Sequence, residues 1–198
     1  FKKELATTIA RNKSGQIEIF PIVEMMFNEV SNQVEYVLCP AQISSEINEK
    51  AKKIALKVSE SFKQVGLLAV EMFLTHDNKI LINEVAPRPH NSAHYSIESC
   101  INSQFDQHIN SILDLPLGSS KSNFYAIMIN LVGELGHEGK VVYEGIKEAM
   151  LIENTKLHLY GKSKTKPNRK MGHATVLDSN LENALKKAKK IKELVKVK

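Results

Sequence analysis

Leu67-Leu68-Ala69-Val70-Glu71-Met72-Phe73-Leu74 is an apolar run with a single charge. A second run, Lys79-Ile80-Leu81-Ile82-Asn83-Glu84-Val85, follows it after Thr75-His76-Asp77-Asn78. Both runs have the composition of β-strands, and Asp77-Asn78 is a pair typical of two-residue hairpin turns. If the turn centres on that pair, Glu71 lies directly opposite Glu84. Directly opposed Cβ atoms are about 4.5–5.5 Å apart, so the two carboxylates would repel each other.

Two interpretations of this glutamate pair remain open from the spacing alone. A hard divalent cation, Mg²⁺ above all, would relieve the repulsion by taking oxygen ligands from both strands while it also holds substrate phosphates. Alternatively, the hairpin exposes this face to solvent, and each glutamate pairs with a lysine or arginine. The residues that follow Glu84 favour the first interpretation.

The segment after the second strand is rich in polar side chains. It reads Ala86-Pro87-Arg88-Pro89-His90-Asn91-Ser92-Ala93-His94, and its two prolines stiffen the backbone. Arg88 offers a planar fork of donors for phosphate or carboxylate. His90 can donate, accept or transfer a proton, and Asn91 adds a neutral donor and acceptor. A carboxylate pair followed by such a loop predicts a metal–phosphate site.

Strand and helix patterns alternate along the chain, which predicts an α+β fold with antiparallel pairing and no clean doubly wound sheet. A helix from Ser45 to about Gln64 would pack one apolar face on the sheet. Three further features complete the prediction: a helix from Ser103 to Leu113 with Phe105, Ile109, Ile112 and Leu113 as its apolar face, a last helix capped by Ser179, and a domain boundary near Pro116 and Gly118 that separates residues 1–118 from 119–198.

Composition excludes several classes of protein. The chain has 198 residues, of which 42% are hydrophobic and 25% charged, enough for a real core. We expect no membrane span, because no apolar run approaches the ~18 residues that one requires. Cys39 and Cys100 lack metal or redox spacing, so we expect a reduced, cytoplasmic protein. The net charge of +5 is concentrated in two segments, residues 162–170 and 186–198, which indicates local anion sites.

The first of these basic segments lies between two predicted strands. It runs from Gly161 to His173 as Gly-Lys-Ser-Lys-Thr-Lys-Pro-Asn-Arg-Lys-Met-Gly-His. Side-chain cations and free N–H groups in such a loop can surround an anion. The charge alone fits a solvated loop or an RNA contact equally well, but interleaved aromatic residues for base stacking are missing.

Three of these motifs together resemble the 5-(carboxyamino)imidazole ribonucleotide synthases, which are ATP-grasp ligases of purine biosynthesis. They are the hairpin of residues 71–84, the run Asn83-Glu84-Val85-Ala86-Pro87-Arg88-Pro89-His90-Asn91-Ser92, and the run Arg169-Lys170-Met171-Gly172-His173. The resemblance extends over essentially the whole chain. It implies the C-terminal half of an ATP-grasp core, an antiparallel sheet with packed helices, followed by a small α/β C-terminal domain that carries the phosphate-binding loop.

The resemblance also implies a reaction: ATP activates bicarbonate, and the carboxyl group passes to the exocyclic amine of 5-aminoimidazole ribonucleotide, with ADP and phosphate as products. It implies no nucleic-acid partner and a homodimer as the full-length enzyme. The implied site residues are Glu71 and Glu84 for Mg²⁺ (or Mn²⁺), Asn83, Glu84 and Glu4 for the nucleotide, Arg88, His90 and Asn91 as catalytic residues, and Lys162 and Arg169 for the 5′-phosphate of the ribonucleotide.

The chain departs from the family pattern in two respects. Phe27 stands where the family commonly has a histidine, so one nucleotide contact would be absent. The resemblance also implies a further domain before Phe1, with the phosphate-facing lysines and the adenine hinge, and we expect the isolated chain to be inactive without it. Two other functions remain open: a different carboxylating ATP-grasp ligase, such as a formate- or biotin-dependent relative, and a nonenzymatic phosphate- or RNA-binding module.

Overall fold

The computed structural model describes all 198 residues. The chain forms two compact units, residues 1–25 with 38–123 and residues 26–37 with 124–198. This division lies close to the boundary predicted after residue 118. Residues 26–37 group with the later part of the chain, which sequence order alone could not indicate.

The first unit is an antiparallel sheet with helices on it. Strand β1 pairs with β2, β3 and β5, and β5 pairs with β6. Its elements are β1 (Lys3–Arg11), β2 (Ile17–Ile19), the start of β3 (Val23–Phe27), the end of β4 (Val34–Cys39), α1 (Ser45–Phe62), β5 (Gly66–Leu74), β6 (Ile80–Ala86), a 3-10 turn (Asn91–Ala93), α2 (Ser96–Ser99) and α3 (Gln104–Ile112).

Helix α1 covers one face of this sheet. Ala51 and Ala55 on the helix pack in one cluster with Leu5, Leu68 and Met72 of β1 and β5, all at 0% exposure. Full burial of a side chain such as leucine contributes ~1.5–3 kcal/mol, so this face supplies much of the unit's stability. The helix begins after Ser44, whose side chain accepts from the Ile47 N–H, and ends at Lys63 in the left-handed conformation. The apolar pattern of this helix also predicts that Phe62 and Val65 face the sheet, but both are more than half exposed.

Helix α3 lies against β5 and β1, and its orientation contradicts the prediction. The apolar side chains expected to pack inward, Phe105, Ile109, Ile112 and Leu113, are 40–63% exposed. The inward face is polar, because Gln104, Gln107 and Ser111 are each 0% exposed. A capping box between Ser103 and Asp106 fixes the start of the helix.

The second unit is also built on antiparallel strands. Strand β12 pairs with β10 and β7, and β7 is next to β4. Helix α5 packs on β7 and β12 through Ala184, Ala188 and Ile191. The elements of this unit after residue 124 are β7 (Tyr125–Val132), β8 (Gly139–Lys140), β9 (Tyr143–Glu144), α4 (Ile146–Met150), β10 (Thr155–Leu159), β11 (Lys164–Thr165), β12 (Lys170–Asp178), α5 (Leu181–Leu194) and β13 (Lys196–Val197).

The predicted α+β class and antiparallel pairing are confirmed, with corrections at element ends. Asn180, and not Ser179, caps α5 by accepting from the Asn183 N–H. The predicted basic loop ends earlier than expected, because residues 170–173 belong to β12. No helix combines the length and the apolar character needed to cross a membrane.

Candidate functional site

Glu71 and Glu84 are cross-strand partners, as the sequence predicted. The ladder pairs Ala69 with Ala86, Val70 with Val85 and Glu71 with Glu84. Partners in a ladder project from the same face, so the two carboxylates lie side by side. Glu71 is largely buried, with 16% of its side chain exposed, whereas Glu84 is exposed on the outer strand.

The turn that creates this register is not the predicted one. Thr75 pairs with Lys79, so the loop holds the three residues His76, Asp77 and Asn78, with Asn78 at φ 58°. The register then shifts between Glu71 and Met72, where Asn83 forms a β-bulge. A bulge re-aims a side chain and increases the local twist, and bulges are frequent next to active sites. The bulge at Asn83 therefore restores the alignment that a two-residue turn would have given.

Glu4 projects from the same sheet face as Glu71. It pairs with Phe73, and Ala6, two residues further along β1, pairs with Glu71. Glu4 is 8% exposed, and this burial raises the pKa of its carboxyl group because the low-polarity surroundings disfavour the charged form. Helix α1 packs on the opposite face, so Glu4 and Glu71 lie on the side of the sheet away from α1.

The loop after β6 brings His90 to Glu71. The imidazole Nε2 of His90 lies 3.7 Å from Glu71 Oε1. The Ser92 N–H donates to His90 Nδ1, which makes Nδ1 an acceptor and leaves the proton on Nε2, toward the carboxylate. Asn91 begins the 3-10 turn that follows.

Arg88 occupies the exposed part of the same loop. Its guanidinium donates to the Pro89 carbonyl at 3.1 Å, and its backbone N–H donates to the Ala86 carbonyl. The guanidinium is therefore accessible to a phosphate while the backbone that carries it is fixed.

Gln104, which no sequence pattern singles out, holds the backbone of this loop. Its Oε1 accepts from the His90 N–H at 2.8 Å, and its Nε2 donates to the His90 carbonyl at 3.0 Å. Nε2 also lies 2.8 Å from Nδ1 of His94. A glutamine on a helix gives no signal by type, and its position opposite the apolar stripe of α3 would predict exposure to solvent.

The donor set fits a hard divalent cation held mainly by a substrate. Glu71 and Glu84 supply carboxylate oxygens from adjacent strands, and no group of three or more histidine, cysteine, aspartate or glutamate side chains could hold a metal alone. Mg²⁺ commonly binds through one or two carboxylates together with phosphates and waters. Two opposed carboxylates on a substrate-facing surface meet that requirement.

In the basic loop of the second unit, two side-chain cations donate hydrogen bonds to backbone carbonyl groups of the same segment. Lys162 Nζ donates to the Lys170 carbonyl at 2.6 Å and lies 5.5 Å from the centre of the Tyr160 ring, while Arg169 donates to the Lys164 carbonyl at 2.9 Å. Gly172 is required here, because a Cβ would lie 2.5 Å from the His158 carbonyl oxygen. Lys162 is partly buried and Arg169 exposed, so both cations are near the surface of one loop.

Comparison with known proteins identifies the two parts of the chain. A model of the ATP-grasp domain matches residues 1–105, and a model of the phosphoribosylaminoimidazole carboxylase C-terminal domain matches residues 126–187. The first match covers more than half of the chain. The chain belongs to the ATP-grasp family. The carboxylate pair and the loop after β6 lie within the ATP-grasp match, and the basic loop lies within the other.

Relatives of known structure show the same fold over nearly the whole chain. The N5-carboxyaminoimidazole ribonucleotide synthetase of Thermotoga maritima is 47% identical with a TM-score of 0.91, over 99% of this chain and 52% of that one. The Aspergillus clavatus synthase, solved with ADP and 5-aminoimidazole ribonucleotide, is 35% identical with a TM-score of 0.86, over 98% of this chain and 51% of that one.

A curated relative is also similar over most of this chain. The N5-carboxyaminoimidazole ribonucleotide synthase of Bacillus subtilis (strain 168) is 41% identical over 177 residues, which are 89% of this chain and 44% of that protein. The chain therefore spans about half the length of the relatives it matches. The predicted resemblance to this family of ATP-grasp ligases is confirmed.

Proposed function

We propose that the full-length protein containing this chain uses ATP to carboxylate 5-aminoimidazole ribonucleotide with bicarbonate, releasing ADP and phosphate. The observation that carries the proposal is the alignment of Glu71 with Glu84, with His90 Nε2 3.7 Å from Glu71. This arrangement combines a metal–phosphate site and a proton-carrying group on one sheet face. Relatives with the same fold are named for this product, and one was solved with ADP and the ribonucleotide.

The ATP-grasp unit holds the nucleotide in this proposal. Glu71 and Glu84 bind Mg²⁺, or Mn²⁺ in its place, which when bound neutralises charge on the ATP phosphates. Asn83, at the bulge, contacts the same phosphates, and the buried Glu4 accepts from the ribose hydroxyls. Phe27 ends β3 where the family has a histidine, so it packs without making that polar contact.

The loop after β6 acts on the bicarbonate. The guanidinium of Arg88 stabilises the charge that develops as the phosphoryl group transfers to bicarbonate. His90 and Asn91 line the pocket in which the amine nitrogen of the ribonucleotide attacks the activated carboxyl carbon. His90 is placed to take part in the proton movement, because its Nε2 faces the Glu71 carboxylate.

The second unit binds the 5′-phosphate of the ribonucleotide through Lys162 and Arg169. The test is Lys162→Ala and Arg169→Ala in the full-length protein. Each change is expected to raise KM for the ribonucleotide about 10- to 100-fold, since a charge-assisted hydrogen bond contributes ~1.5–3 kcal/mol, and to leave KM for ATP unchanged. Lys166→Ala in the same loop is the control and should have little effect.

Other outcomes of that test select other functions. Unchanged KM for the ribonucleotide in both variants, with ATP turnover intact, would indicate a different carboxylating ligase. RNA binding with a steep salt dependence, without any need for Glu71 or Glu84, would indicate a nonenzymatic binding module.

We also propose that the full-length protein is a homodimer and works in the cytoplasm. The exposed stripe Phe105, Ile109 and Ile112 on α3 has the 4–3 spacing of residues that pack between two helices, and it offers a surface for a second copy. Cys39 and Cys100 are both free thiols, which fits a reducing compartment.

A further inference from the structure

Helix α3 turns two glutamines, and not its apolar residues, toward the rest of the unit. Gln104 and Gln107 are three residues apart, so both lie on the inner face, and each is 0% exposed. Each side-chain amide binds the backbone N–H and C=O of a single residue in a neighbouring loop. Gln107 accepts from the Gly118 N–H and donates to the Gly118 carbonyl, and Gln104 does the same at His90.

The orientation of the Gln104 amide is fixed by its partners. Oε1 must face the His90 N–H, because the reversed amide would place its NH₂ group, also a donor, against that N–H. Nε2 then donates both to the His90 carbonyl and to Nδ1 of His94, which must be an acceptor. The Gln104 backbone is fixed as well, since its N–H donates to Ser96 Oγ at 2.9 Å.

These contacts determine where the His90 imidazole lies. The side chain of Gln104 fixes the backbone of His90 on both sides, and Ser92 fixes the ring through Nδ1. The Nε2 atom then reaches 3.7 Å from Glu71. Glu71 itself is held by the β1–β5–β6 ladder, independently of Gln104.

We infer that Gln104 is a positioning residue for His90 and that it couples ATP consumption to carboxylation. The inference rests on the proposed function. In the coupled reaction the amine nitrogen bonds to the carboxyl carbon of the activated bicarbonate, the bond from that carbon to the phosphate oxygen breaks, and the proton lost by the amine is taken up by the departing phosphate. When His90 is displaced, a water oxygen replaces the amine nitrogen, and bicarbonate and phosphate are released instead.

The experiment compares Gln104→Met with Gln107→Met in the full-length protein. Methionine keeps the length of glutamine and removes the side-chain hydrogen bonds, three at Gln104 and two at Gln107, so each variant loses its contacts to the backbone of a different loop. The readouts are thermal stability, KM for ATP, phosphate released, and carboxylated ribonucleotide formed. For Gln104→Met we expect KM for ATP and phosphate release to change less than about threefold, whereas product per phosphate falls about 10- to 100-fold, the range that a displaced reacting group costs.

Gln107→Met should keep a product-to-phosphate ratio near that of the wild type. A purely structural role for Gln104 would lower product and phosphate together and leave their ratio unchanged, and that result would overturn the inference. If Gln104→Met does not fold, Gln104→Glu is the alternative variant, because it keeps the shape and the acceptor for the His90 N–H but loses the donors. The ratio of product to phosphate in that variant then tests the inference. A wild-type protein that forms no carboxylated product would refute the proposed function instead.

Discussion

At the scale of single residues, the chemistry depends on charges that the fold holds in unfavourable places. Glu71 and Glu84 face each other across two strands, and Glu4 is buried on the same sheet face. The pairing of Glu71 with Glu84 is readable from the sequence because hairpin alternation is regular, whereas Glu4 is indicated only by the family resemblance. The contact of His90 with Glu71 and the role of Gln104 are not readable from it, because they depend on loop and helix packing.

Replacing either opposed glutamate by glutamine should stabilise the protein when no metal is present. Each change removes a like-charge repulsion of roughly 0.2–1 kcal/mol, which raises Tm by up to about 4 °C in a chain of this size. Stabilisation by added Mg²⁺ should be lost in Glu71→Gln and Glu84→Gln. Thermal melts of the 198-residue chain with and without MgCl₂ measure both effects.

The exposed Glu49, which pairs with Lys52, provides the control for these melts. Glu49→Gln should behave as the wild type with and without Mg²⁺, because exposed pairs contribute little. A drop in Tm of Glu71→Gln in the absence of metal would contradict the view that the two carboxylates repel each other.

Glu4→Gln should make stability less dependent on pH. Burial raises the Glu4 pKa above its ordinary value of 4.5, so the folded protein holds this proton more tightly than the unfolded chain does. The favourable contribution of the neutral carboxyl is complete below the unfolded pKa and is lost as the pH rises through the folded pKa. At pH 7 glutamine should therefore raise Tm, and the gain should vanish as the pH falls below the ordinary carboxyl pKa of 4.5.

The same substitution should weaken ATP binding in the full-length protein. A neutral amide accepts from the ribose hydroxyls less strongly than a carboxylate, so KM for ATP should rise about tenfold. A stabilised variant with an unchanged KM for ATP would show that Glu4 is buried but does not contribute to ribose binding.

At the scale of elements, the hairpin and α3 show which structural features sequence patterns can predict and which they cannot. The pairing of Glu71 with Glu84 was predicted correctly, although the turn has three residues and a bulge at Asn83 compensates. Neither deviation has a strong signal, because asparagine tolerates both the left-handed turn position and a bulge. The apolar stripe of α3 is predicted to face the core and is exposed instead, because periodicity identifies the apolar face of a helix but not whether the fold buries it.

The exposed stripe on α3 predicts a specific effect on assembly. If the full-length protein is the proposed homodimer, Ile109→Glu should convert it to a monomer, because a charge in an apolar interface has no partner. Folding should be little affected, since Ile109 is 56% exposed. Sedimentation velocity measures the mass, and Leu151→Glu, at a residue 86% exposed on another surface, is the control. An Ile109→Glu protein that stays dimeric would exclude this surface.

At the scale of the whole molecule, the sequence predicts a boundary after residue 118 but not how the backbone divides between the two compact units. The ATP-grasp match and the C-terminal-domain match follow the predicted order. Residues 26–37, however, leave the first unit and join the second, which requires strands β3 and β4 to begin in one unit and end in the other. Long-range pairing of this kind has no local sequence signal.

The most direct test of the account follows an oxygen atom from bicarbonate. If ATP activates bicarbonate as carboxyphosphate, the oxygen that bonds to phosphorus leaves with the phosphate when the ribonucleotide amine attacks the carbon. The full-length protein, given ¹⁸O-labelled bicarbonate, ATP and 5-aminoimidazole ribonucleotide, should release phosphate that carries one ¹⁸O for each carboxylated product, as measured by mass spectrometry. Unlabelled phosphate, or phosphate release that requires neither bicarbonate nor the ribonucleotide, would contradict the account.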